Sequence, residues 1–202
     1  MIKAITFDLD GVYFTGESFK RFKAALPKRV NDETQVNWIL YKCPQILAFK
    51  SGKLSEEEYW KFAKDALGIE VSTDEIFKLL RDSYEVNSEV HEYLLDIRSR
   101  GFKTCICSNN FVSRIRELDA KFDFLKNFDV KGFSFEAGVM KPDKRIYEKL
   151  VEMSGVNANE IIYSDDTSDA LAGAHEVGIN AFLFEGFEDF KKKVENLISN
   201  TP

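Results

Sequence analysis

The sequence predicts an α/β protein, a parallel sheet of about five strands with helices on both faces and a helical insert after the first strand. Three observations predict it. Short apolar runs alternate with amphipathic helical patterns along most of the chain. Each run ends in a polar or acidic loop. The stretch from about Thr15 to Asn87 contains helical patterns and no convincing strand.

The first strand is Ile2–Phe7, an apolar, β-branched run that stops at Asp8-Leu9-Asp10-Gly11. Helices are then expected over Phe19–Leu26, Thr34–Tyr41, Ser55–Leu67 and Thr73–Tyr84. Ser55 with Glu58 reads as a capping box, and Thr73-Asp74-Glu75 as an N-cap followed by acids. Gly68 stops the helix before it. The Val90, Leu94, Leu95, Ile97 pattern leads to a second strand, Phe102–Cys107, which ends in Ser108-Asn109-Asn110. Val112, Ile115 and Leu118 mark the next helix, and Phe128–Phe135 a weaker, alternating strand. Ile146, Leu150 and Val151 lie on another helix. The strand Glu160–Tyr163 ends in Ser164-Asp165-Asp166, and Asn180–Phe184 follows a helix carrying Ala170, Leu171, Ala174 and Val177. Phe190, Val194 and Leu197 close the chain on a helix.

Composition narrows the function. The 202 residues suit one domain, or one domain with an insert, and 44% hydrophobic content suffices for a packed core. A net charge of −6 provides no general footprint for nucleic acid or an anionic membrane. No run of apolar residues is long enough to span a bilayer, and Asp8 interrupts any secretory leader. The three cysteines, Cys43, Cys105 and Cys107, do not form a disulfide framework, so a reducing, cytoplasmic setting is expected. Cys105 and Cys107 read as core filler, and His91 and His175 as structural residues.

The chemistry collects at the strand ends, where an open parallel sheet binds its ligands. Strand one offers Asp8 and Asp10, strand two Ser108 and Asn109, and a later strand Asp165 and Asp166. Lys141 lies in the Gly-Val-Met-Lys-Pro loop. Several carboxylates crowd together only around a cation, and an all-oxygen donor set suits Mg²⁺ better than zinc. A lysine and a hydroxyl suit phosphate oxygens. Ser108 and Asn109 are expected where a helix begins, so that backbone N–H groups can also hold an anion. The combination describes phosphoryl transfer through a carboxylate nucleophile.

Asp8-Leu9-Asp10-Gly11-Val12, Ser108, Lys141 and Asp165-Asp166 together resemble the four motifs of the haloacid dehalogenase superfamily, in order, strand placement and spacing. The resemblance implies a modified Rossmann-like core, Mg²⁺ dependence and phosphatase activity through an aspartyl-phosphate. It divides the chain into a core of residues 1–15 and 88–202 and a helical cap of residues 16–87. It makes Asp8 the nucleophile and a metal ligand, and Asp10 the general acid and base, with its backbone carbonyl at the metal. Ser108, Asn109 and Lys141 become the phosphate-binding group, and Asp166 and Asp165 metal ligands. Asp169 stands where it could support the metal site. Phe14 and Glu17, near the cap hinge, are candidates for substrate contact.

The dehalogenases of this superfamily lack the second aspartate and need no metal, so Asp10 and the Asp165-Asp166 pair favour phosphate chemistry. A roofed site favours a small phosphorylated metabolite, such as a sugar phosphate or a nucleotide-like monoester. A phosphomutase and a non-catalytic binding relative are the alternatives. A signalling receiver domain is disfavoured, because it is shorter and carries its acidic pair on the first strand. The expected partner is a small-molecule phosphate ester, with no nucleic acid and no membrane, for a monomer or homodimer.

Overall fold

The computed structural model describes residues 1–199. Five parallel strands form one sheet in the order β3-β2-β1-β4-β5. They are β1 (Ala4–Phe7), β2 (Lys103–Ser108), β3 (Val130–Phe133), β4 (Ile161–Asp165) and β5 (Asn180–Leu183). Side chains alternate between the faces. Ile5, Phe7, Ile106 and Ile162 enter one apolar cluster, while Ala4, Cys105, Cys107, Ile161 and Tyr163 enter the other. Both faces are therefore buried, which explains why these strands read as continuous apolar runs.

Between β1 and β2 lie α1 (Ser18–Ala25), α2 (Glu33–Asn37), α3 (Pro44–Lys50), α4 (Glu56–Leu67), α5 (Thr73–Ser83) and α6 (Ser88–Ser99). The other helices are α7 (Val112–Phe122), α8 (Ser134–Ala137), α9 (Lys144–Ser154), α10 (Leu171–Val177) and α11 (Phe187–Ser199). Ile115 and Leu118 of α7 and Phe190 and Val194 of α11 pack on the first face. Ile146 and Leu150 of α9 and Leu171 and Ala174 of α10 pack on the second. The first cluster continues without a break into the insert, through Phe49, Tyr59, Trp60, Phe77 and Leu80.

The insert departs from its sequence pattern in three places. The helix expected over Thr34–Tyr41 is α2 followed by a π-helical turn, Trp38–Lys42. Then α3, absent from the sequence reading, starts on Pro44, which suits a first helical position. The cap of α5 is Ser72, not Thr73. The Ser72 hydroxyl accepts from Glu75 N, and the Glu75 carboxylate accepts from Ser72 N. Ser55 and Glu58 form the expected box on α4, and Gly68 ends that helix with φ +64°.

The strand order reverses at β1, whose neighbours are β2 and β4. Register carries this to the strand ends. Phe7 lies level with Ile106 on one side and Ser164 on the other. The next residues out, Asp8 and Asp165, therefore leave the sheet side by side. No helix among the described residues is long and apolar enough to cross a membrane.

Candidate active site

The loops at this switch point enclose a cleft of about 220 Å³ whose lining includes Asp8, Asp10, Ser108, Asn109, Lys141, Asp165, Asp166, Thr167 and Asp169. Larger clefts lie elsewhere on the surface. Among the described residues, however, only Asp8, Asp165 and Asp166 form a group of three metal-compatible ligands, with one oxygen from each within 4.8 Å of the others.

Lys141 organises the floor of the cleft. Its Nζ donates to Asp8 Oδ1 at 2.8 Å, Asp165 Oδ2 at 2.5 Å, the Cys107 carbonyl at 3.0 Å and the Tyr163 hydroxyl at 2.9 Å. Burial alone would lower the Lys141 pKa, but the charges of Asp8 and Asp165 overcome it and hold the ammonium above its ordinary value. Burial pushes the Asp8 carboxyl up to about 7 against the pull of Lys141, and Asp165 and Asp10 add to the rise. Burial and Asp165 likewise raise Asp166. A lone lysine thus leaves negative charge uncompensated around Asp8, as a cation site requires.

Asp165 is fully engaged. Its Oδ2 also accepts from the Tyr163 hydroxyl, and its Oδ1 accepts from Thr167 N at 2.9 Å. Asp166 is exposed and freer, and its Oδ1 accepts from the Thr167 hydroxyl at 3.1 Å. Its Oδ2 occupies the space over Gly11, where a Cβ would come within 2.1 Å of it. Gly11 has φ +79°, so this turn requires glycine on both counts.

Ser108 and Asn109 differ in setting from the sequence expectation. The helix after β2 begins only at Val112. Ser108 is still paired with Phe133 in the sheet, so it ends a strand and does not cap a helix. Asn109 Oδ1 accepts from Lys141 N at 2.8 Å, and its Nδ2 donates to the Lys141 carbonyl at 3.0 Å. Its side chain therefore clamps the lysine loop in place. Asp169 lines the rim from a short 3₁₀ turn, Ser168–Ala170, ahead of α10.

The two hinge candidates are not at the cleft. Phe14 has no exposed surface and packs against Tyr84, Phe122 and Phe124, with ring centroids 5.2–5.7 Å away. Its ring joins the first motif to the aromatic residues at the ends of α5 and α7. Glu17 is exposed to solvent and pairs with Lys20 at 2.6 Å.

Three residues at the site escaped the sequence reading. Arg114 of α7 is buried, and its guanidinium donates to Asp10 Oδ2, to the Tyr84 hydroxyl at 3.0 Å and to Asn110 Oδ1 at 2.6 Å. Tyr84, just past α5, in turn donates to Asp10 Oδ1 at 3.1 Å. Asp10 is thereby held from the core and from the end of the insert. Arg114 carried a readable signal, because with Phe111, Ile115 and Leu118 it occupies the apolar stripe of its helix. The third, Tyr163 of β4, accepts from Lys141 Nζ and donates to Asp165 Oδ2. His91 is structural, with Nδ1 3.0 Å from the Tyr13 hydroxyl.

Residues 2–178 match the family model for haloacid dehalogenase-like hydrolases. The porcine bifunctional epoxide hydrolase 2 is 25% identical over 97% of this chain, which spans 39% of that longer protein. The D-ribitol-5-phosphate phosphatase of Bacteroides thetaiotaomicron is 25% identical over 99% of this chain and 100% of its own length. A haloacid dehalogenase family enzyme from the same organism, solved with magnesium and inorganic phosphate, has a TM-score of 0.74 and 19% identity. That similarity covers 94% of this chain and 99% of the neighbour. With a family model covering most of its length and a sheet of the matching fold, this protein belongs to the haloacid dehalogenase-like hydrolases.

Proposed function

We propose that the protein is a Mg²⁺-dependent phosphatase that hydrolyses a small phosphate monoester through an aspartyl-phosphate on Asp8. The observation that carries the reading is the Lys141 ammonium bonded to Asp8 at the base of a carboxylate-lined cleft. The names of the relatives support it, since one is a D-ribitol-5-phosphate phosphatase and a structural neighbour was solved with magnesium and inorganic phosphate. Residues 16–87 would roof a catalytic core built from 1–15 and 88–202.

The donor set fits a hard divalent cation, being all oxygen and short of positive charge. Asp8 and Asp166 would hold Mg²⁺ directly, with the Asp10 backbone carbonyl, while Asp165 would serve through water or by orienting Lys141. When bound, the cation supplies charge neutralisation at the phosphoryl oxygens. Lys141 supplies the second positive charge there, and Ser108 a hydroxyl. Asp8 Oδ attacks phosphorus, forming the acyl-phosphate bond as the ester P–O bond breaks. Asp10 donates its proton to the leaving oxygen. Asp10 then takes a proton from water, which attacks phosphorus, releases inorganic phosphate and regenerates the Asp8 carboxylate.

The test is phosphate release from p-nitrophenyl phosphate and a metabolite panel, with Mg²⁺ or with EDTA. Metal-dependent release that falls at least about 10³-fold in Asp8→Asn supports the reading. Release that survives the substitution overturns the nucleophile, and no release from any ester overturns the activity.

A further inference from the structure

The charges around the cleft divide into two halves. On the floor stand Asp8, Asp165, Asp166 and one cation, Lys141. That half is two negative charges in excess, the match for a divalent cation. On the other half stands Asp10, bonded to the buried Arg114. A second cation, Lys50 at the end of α3, shares an aromatic patch with Arg114: its ammonium lies 5.8 Å from the Tyr41 ring, Tyr41 meets Phe19 at 4.7 Å, and the Arg114 guanidinium lies 5.4 Å from Phe19. That half is one positive charge in excess.

Lys50 is held there by the backbone. The Ser134 hydroxyl donates to the Lys50 carbonyl at 2.6 Å and accepts from Asn110 N at 3.0 Å, which ties the end of α3 to the loop after β2. The neighbouring Phe49 stacks on Phe111 at 4.8 Å. After the turn, Gly52 leaves no room for a Cβ, which would lie 2.3 Å from the Phe135 carbonyl. Yet Lys50 is half-buried, and its ammonium has no hydrogen-bond acceptor or ion-pair partner among the described residues. Burial pushes its pKa down to about 8, and Arg114 adds to the fall more than Asp10 or Asp8 relieves it. A cation held in a partly dry site beside another cation is costly unless an anion joins them.

We infer that Lys50, beside Arg114, forms a subsite for a second negative charge carried by the leaving group. The substrate would then be a small phosphate monoester whose alcohol portion bears a carboxylate or another phosphate. The inference rests on the phosphatase reading and narrows its substrate class. It also leaves Asp10 free to act, because an anion on the leaving group competes with the Asp10 carboxylate for Arg114.

The test is the ratio of kcat/KM within two matched pairs. In one, 3-phosphoglycerate is set against glycerol 3-phosphate, which has hydroxymethyl in place of carboxylate. In the other, fructose 1,6-bisphosphate is set against fructose 6-phosphate. The wild type is expected to favour the more anionic member of one pair at least tenfold, and the pair that responds tells carboxylate from phosphate. Lys50→Met should reduce that ratio about tenfold, and Lys50→Arg should keep it. Turnover with ratios near one in the wild type, or a ratio unmoved in Lys50→Met, overturns the subsite alone. No turnover of these esters or of p-nitrophenyl phosphate overturns the phosphatase reading, and the subsite with it.

Discussion

Lys141 and Asp165 are joined by a 2.5 Å ion pair with both side chains almost wholly out of water, and the same ammonium also reaches Asp8. A pair of this kind is most damaging when only one partner is removed, since buried charge is left unmatched. Lys141→Met is expected to cost about 3–5 kcal/mol of stability at neutral pH without metal. Urea unfolding followed by circular dichroism measures it, and a loss below about 1 kcal/mol would show that solvent already screens the pair.

Metal removal should be visible without turnover. If Mg²⁺ binds only the folded chain, a concentration 100 times its dissociation constant adds about 2.7 kcal/mol. For a domain of this size that is a rise in Tm of roughly 5–10 °C. Asp166→Asn should abolish the rise while folding normally, and an equal rise in the variant would remove Asp166 from the metal site.

Gly11→Ala adds a methyl where Asp166 Oδ2 now stands, at a positive φ. The backbone cost is about 1–2 kcal/mol. The sharper expectation is that Asp166 is displaced, so the Mg²⁺-induced rise in Tm shrinks well beyond what the lost stability explains. Titrating Mg²⁺ against the melting curve of the variant decides between the two effects.

Lys50 makes stability depend on pH in a stated direction. Its folded pKa, about 8, lies below the roughly 10.4 of an unfolded lysine. Between those values the unfolded chain binds the extra proton, so wild-type stability rises with pH through that window. Below about 8 both states are charged and the whole cost of the buried ammonium is present. Lys50→Met should therefore be more stable than the wild type at pH 7, with an advantage that fades between about pH 8 and 10.4. Chemical denaturation across that range checks it, and a pH-independent difference would mean the ammonium is solvated.

The strands and the loops at their ends were legible in the sequence because both are local. An apolar run such as Ile2–Phe7 needs burial whatever covers it, and Asp8-Leu9-Asp10-Gly11 carries its spacing within a few residues. The convergence of Asp8, Ser108, Lys141 and Asp165 on one cleft followed from the rule that parallel strands present their ends together. Local reading failed where chain-remote packing decides. No pattern marked α3, because a seven-residue helix between a π-helical turn and a glycine turn has little periodicity, and its stability comes from docking. Phe14 was misread for a related reason, since the same residue type serves a ligand or a core according to what closes over it.

The tertiary structure alone set the electrostatics. Lys141 meets Asp8 across 133 positions of chain, and Arg114 meets Asp10 across 104. A charge in the sequence has no fixed energy, because its pKa and its partner depend on how much water the fold removes and which opposite charge replaces it. That is why Asp8 could be placed at the cleft from its motif, whereas the hold of Arg114 on Asp10 and the unpaired ammonium of Lys50 required the folded chain.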